Sequence, residues 1–128
     1  MAAREAIRRA EALLPGKPVA EGPDPRWQAI IAVGEYIPAE PEAVWEFVRA
    51  WGSHPQEDIR AAVATCLLEH LLEHHFGAIF PRVEERALAV PLFADMFLRC
   101  WKFGQSQEAD CAVRLDALRG RLTGRHER

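Results

Sequence analysis

Residues 69 to 76 read Glu-His-Leu-Leu-Glu-His-His-Phe and hold three of the five histidines in a chain of 128 residues. On a helix, His70 and His74 are four positions apart and project from one face, with Glu73 about 60° from His70 around the axis. Two neutral imidazoles and a carboxylate so placed could ligate a divalent metal. The order His-x-x-Glu-His also matches the inverted zincins, whose metal-bound water is the nucleophile. A catalytic zinc, however, needs a third protein ligand and a placed base. The sequence offers only Asp95 or Asp110 for these, with no second Glu-x-x-His motif. The competing expectation is structural: on a helical wheel His70 and His74 fall among Ile59, Val63, Cys66 and Leu67, where they would pack between layers with one ring nitrogen hydrogen-bonded.

No Gly-rich phosphate loop or Gly-x-Ser-x-Gly elbow is present, and Cys66, Cys100 and Cys111 form no Cys-x-x-Cys pair. The cysteines therefore read as small buried hydrophobes, and no cofactor is expected. Four tryptophans are many for this length, and helical spacing makes them core residues first. Trp51 before Gly52 and Trp101 beside Lys102 differ in standing at helix ends, which line the rims of helical stacks. Trp51, Trp101 and Lys102 are thus the candidate partner-binding residues.

Proline and glycine mark out the elements that must position these groups, with Pro at helix starts and Gly past helix ends. Asp24 can cap a helix beginning at Pro25. Pro41 opens a helix that Gly52 ends, Pro55 one that Gly77 ends, and Pro91 one that Gly104 ends. Ser53 and Gln56 have the spacing of a capping box. An amphipathic arm over residues 3 to 14 is followed by a Pro/Gly linker over 15 to 25. No segment alternates with period two, so no sheet is expected.

The apolar periodicity predicts how each helix is used. Ala29, Ile30, Val33, Gly34 and Ile37 share one face opposite Gln28 and Glu35, as in a one-sided outer helix. Residues 42 to 51 and 92 to 103 carry broad apolar arcs suited to packing on two sides.

The opening Asp24-Pro25-Arg26 returns 34 residues later as Asp58-Ile59-Arg60. Such an echo is the mark of a stacked helical repeat. The segments Asp-Pro-x-Trp-x-Ala-x-x-Ala-x-Gly at 24 onward and Asp-Ile-Arg-x-Ala-Val-x-x-Cys-Leu at 58 to 67 resemble the second helix of HEAT-like (armadillo-type) repeats. The resemblance spans about residues 24 to 104; the third unit, Leu92 to Phe103, lacks the Asp-x-Arg start. It implies an all-α fold, a short right-handed α-α superhelix of about seven helices, whose concave face binds a partner. One branch of the family, the alkylpurine DNA glycosylases, binds DNA.

Composition bounds the function. Nearly half of the residues are hydrophobic and about a quarter charged, as in an average globular domain. No apolar run approaches the ~18 residues of a membrane span, and Met1 to Leu14 has no apolar core of a secretory signal, so a cytoplasmic protein is expected. The net charge of −3 argues against a protein that coats nucleic acid. From Ala112 onward, five arginines face only Asp116 and Glu127. The expected organisation is an arm and linker over residues 1–22, a repeat domain over 23–120 and a basic tail over 121–128. The expected function is binding of a protein partner through a groove or an open stack end, without catalysis. The alternatives are a metal-binding protein or metal-dependent hydrolase using His70, Glu73 and His74, and a DNA-binding protein of the glycosylase type.

Overall fold

The structure, a computed structural model, describes residues 2–17 and 21–126. Met1, residues 18–20 of the expected linker and residues 127–128 of the expected tail lie outside it. Seven α-helical segments follow in order: α1 (Ala2–Leu13), α2 (Pro25–Gly34), α3 (Pro41–Trp51), α4 (Glu57–Val63), α5 (Glu69–Ala89), α6 (Pro91–Leu98) and α7 (Ala109–His126). A π-helical turn, Ala64–Leu68, joins α4 directly to α5, and a 3-10 turn, Gly104–Gln107, precedes α7. The described residues contain no strand.

Pro25, Pro41 and Pro91 each occupy a first helical position, where a missing N–H leaves no bond unmade. Asp24 caps α2 by accepting from the Arg26 N–H at 2.9 Å. Gly52 follows α3 for a reason of space: a Cβ there would lie 2.6 Å from the Val48 carbonyl oxygen and 2.8 Å from the Met96 methyl.

Three expected boundaries are corrected. The capping box of Ser53 and Gln56 does not form, because α4 begins at Glu57 and Gln56 makes no cap bond. The Gln56 side chain turns instead to the Gly16 carbonyl and to Arg26. Gly77 does not end a helix; α5 runs through Gly77 and Pro81 to Ala89. Its regular geometry breaks at His75 (φ −137°, ψ 39°), and Gln105 fills the break. The Phe76 N–H donates to Gln105 Oε1 at 2.9 Å, and Gln105 Nε2 donates to the His74 carbonyl at 3.0 Å. Backbone groups freed by a kink need such partners. Finally, the helix expected to reach Gly104 stops at Leu98, and a loop carries the chain to the 3-10 turn.

Packing follows an alternating order. α1 touches α3, α3 touches α5 and α5 touches α7, while α2 touches α4 and α4 touches α6. α1 also lies along α2, and α5 along α6. Between them sits one core in which Ile30, Val48, Ile59, Leu67, Phe80, Phe97 and Leu115 are all fully buried. The broad apolar arcs are used in part: α3 buries Val44, Trp45, Phe47 and Val48, and α6 buries Phe93, Ala94, Met96 and Phe97, but Ala50, Leu92, Trp101 and Phe103 are exposed. α2 buries Ala29, Ile30 and Val33 and leaves Gln28 exposed. The N-terminal arm is part of this packing, with Ala10 and Leu14 fully buried. α7 continues without interruption across residue 120.

The two Asp-x-Arg starts are joined through space. Arg26, 3% exposed in its side chain, pairs with Asp24 at 2.7 Å and with Asp58 of α4. Arg60 pairs with Asp95 of α6 at 2.8 Å and donates to the carbonyls of His54 and Pro55.

Candidate functional site

α2 ends against the π-helical turn, and the sequence permits the approach through one small residue. A Cβ on Gly34 would lie 3.0 Å from the Cys66 carbonyl oxygen and 3.3 Å from Leu67 Cδ2. Beyond this contact the two elements diverge into an open groove of about 480 Å³. One wall is Ile31, Glu35, Ile37 and Pro38; the other is Thr65, Cys66, His70 and His74. A π-turn adds a residue to one helical turn and often marks a functional position. Here the Ala64 carbonyl accepts both the Glu69 N–H and the Cys100 thiol, the latter at 3.6 Å.

The histidine cluster closes one end of the groove. His70 Nδ1 lies 2.9 Å from Glu73 Oε1, and His74 Nε2 lies 3.4 Å from the same oxygen. His70 also stacks on Phe103 at 5.9 Å between ring centres. The three sequence-selected residues therefore do come together, but at the half-open edge of the layers, with the His70 and His74 side chains 40% and 57% exposed. The third histidine, His75, bonds through Nε2 to the Ile37 carbonyl at 3.1 Å and so ties the α5 kink to the chain after α2. Among the described residues no group of three or more His, Cys, Asp or Glu side chains is arranged to hold a metal. Burial pushes the Cys66 thiol up, which withholds the thiolate a nucleophile needs.

Trp101 stands on the loop beyond α6 and is 71% exposed. Its backbone is nevertheless fixed. The Trp101 N–H donates to the buried Glu69 carboxylate at 2.9 Å, Lys102 Nζ pairs with both Asp116 oxygens at 2.7 and 2.8 Å, and Arg119 donates to the Cys100 carbonyl. Burial raises the Glu69 carboxyl above its ordinary range, partly offset by the Trp101 N–H. Gly104 follows at φ 49°, where a Cβ would lie 2.6 Å from Glu73 Cγ.

Trp51 is placed differently. Its Nε1 donates to Glu11 of α1 at 3.2 Å, and its ring stacks on His54 at 5.9 Å. It is half-buried against the core. Of the cysteines, Cys100 is buried and Cys66 and Cys111 are half-buried.

Sequence reasoning missed Ile31, Glu35, Pro38, Phe103 and Gln105. The π-turn has no sequence signature, because an apolar run of Ala64 to Leu68 reads equally well as ordinary helix. Gly34 was the available signal, as a small residue on an otherwise apolar face. The chain matches no protein-family model, no curated protein and no solved structure.

Proposed function

We propose that this protein is a helical-repeat protein of HEAT-like type that binds a protein partner and performs no catalysis of its own. One observation carries the binding reading: Trp101 is held outward by a loop anchored at the three successive residues Cys100, Trp101 and Lys102. The backbone that carries the indole is therefore ordered before binding, which lowers the ordering cost of an anchor at this position. Covering such an indole is worth on the order of 3 kcal/mol at about 25 cal/mol per Å². Tryptophan is also the residue type most enriched among interface hot spots. The alternation of contacts, in which each helix touches the next but one, supports the repeat reading. So does the passage of Arg26 to Asp58 and Arg60 to Asp95 from α2 to α4 to α6.

The test is affinity capture from the source cells with the wild type and Trp101→Ala at equal thermal stability. The reading expects a retained protein that the variant loses. Identical retention by both, or none above the bare matrix, counts against it.

A second reading is metal binding by His70, Glu73 and His74, which helical spacing brings to one edge of the groove; their contacts of 2.9 and 3.4 Å are those of a hydrogen bond and an ion pair, and among the described residues they form no ready ligand set. Zinc titration by calorimetry, repeated on His70→Ala, decides it; stoichiometric uptake lost in the variant is what metal binding requires. The DNA reading rests on the C-terminal arginines, two of which are engaged within the fold. Arg114 lies over Phe80 at 5.1 Å, and Arg119 bonds the Cys100 carbonyl.

A further inference from the structure

The groove between α2 and the π-turn is continuous with the loop that presents Trp101. His70 forms part of the groove wall and stacks on Phe103, which is itself 39% exposed. An apolar strip therefore runs from Ile31 through Cys66 and His70 to Phe103, two residues from Trp101. No Lys or Arg lines the groove, and Glu35 is its carboxylate; Glu73, at the histidine end, is already engaged by His70 and His74, and Arg9 lies beyond Glu35 in the neighbouring depression. Glu35 is exposed, and no ion pair engages it among the described residues. The volume, about 480 Å³, has room for a bulky side chain together with the backbone that carries it.

We propose that this groove receives an apolar side chain from a partner-protein segment that carries Lys or Arg beside that anchor, its cation meeting Glu35. The inference rests on the partner-binding reading above and adds to it the chemistry of the partner. Apolar contact supplies the anchor, and the Glu35 carboxylate selects basic over acidic flanks through like-charge repulsion of the latter.

The probe is a random linear-peptide library displayed on phage and selected on the immobilised full-length protein. The strongest binder is then made as a fluorescent peptide for anisotropy. The expected winners pair a bulky apolar residue with a nearby Lys or Arg. Their affinity should fall about tenfold or more in Ile31→Glu and in Glu35→Lys, a loss of the size one anchor or one charge contact produces. Both positions are exposed, so unchanged melting curves separate lost binding from lost folding. A peptide with its basic residue changed to Glu should regain affinity for Glu35→Lys. Acidic winners, or binding indifferent to both substitutions, would overturn the inference. Winners lost in Trp101→Ala but retained in Ile31→Glu would sink the groove proposal and leave partner binding at Trp101 standing. No enrichment over an unrelated immobilised protein would count against both.

Discussion

Arg60 of α4 reaches Asp95 of α6 at 2.8 Å, as Arg26 of α2 reaches Asp58 of α4. The two pairs link alternate helices by the same chemistry, and the aspartate that receives each arginine lies 32 and 35 residues further along the chain. Asp95 supplies the acceptor although its segment lacks an Asp-x-Arg start. Both arginines are buried and differ in their partners. Arg26 is also held by Asp24 and Gln56, whereas Arg60 shares Asp95 with Arg99.

That difference sets unequal costs. Arg26→Ala leaves Asp24 and Asp58, both partly exposed, without their common cation and should destabilise the fold by about 1.5–3 kcal/mol, the range for hydrogen bonds to charged groups. Arg60→Ala should cost less, because Arg99 remains on Asp95 at 3.1 Å. Urea unfolding of both variants checks the order.

Stability should respond to acid and base through different carboxylates. The hydrogen bond from Arg26 holds Asp24 below its ordinary 3.8. Burial alone would raise Asp95, but the bonds from Arg60 and Arg99 outweigh it and hold this carboxyl low as well. Both contributions are present above the unfolded value and are lost as pH falls through the lowered folded value. Glu69 has the opposite sign, since burial raises it above 4.5. Its contribution is complete below the unfolded value and is lost as pH rises through the raised one. Glu69→Gln, which keeps an acceptor for the Trp101 N–H, should therefore gain on the wild type between acid and neutral pH. Urea midpoints of the two proteins across that interval test this.

Gln105→Ala removes both partners of the α5 kink. Leaving the Phe76 N–H and the His74 carbonyl without them should cost about 1–3 kcal/mol. Hydrogen exchange at the Phe76 amide should accelerate more than exchange in α2. Uniform acceleration across the chain would show that Gln105 acts on global stability and not on the kink.

Two glycines should respond in opposite directions to alanine. Gly52→Ala drives a Cβ into the Val48 carbonyl and the Met96 methyl and should destabilise. Gly77 lies in α5 with nothing within 4 Å of the added carbon. Gly77→Ala should stabilise by about 0.5–1 kcal/mol through helix propensity and a less flexible unfolded chain. Thermal melts of the pair provide the comparison.

Much of the helical plan was legible because its signals are local. A proline at a first helical position or an aspartate before it acts on its own turn, so α2, α3 and α6 begin where the sequence placed them. The apolar arcs announced the buried faces of α3 and α6, but not that Leu92, Trp101 and Phe103 would stay exposed. Boundaries fixed by distant groups were not legible. α5 passes Gly77 and Pro81 because its backbone break falls at His75, where Gln105, about 30 residues away, supplies the missing bonds. α6 stops at Leu98, and the loop beyond it is fastened by Glu69, Asp116 and Arg119.

The candidate site divides in the same way. The spacing of His70, Glu73 and His74 put them on neighbouring faces of one helix, and they do meet, because three- and four-residue separations bring side chains together by helical geometry alone. The sequence by itself thus determined the helical class, the starts of several helices, the echo of Arg26 in Arg60 and this local cluster. Only tertiary structure decided that the cluster borders a groove, that Trp51 packs inward and Trp101 outward, and that Glu35 shares a groove with Cys66. Those outcomes depend on contacts between residues tens of positions apart, whose energies no local pattern in the chain encodes.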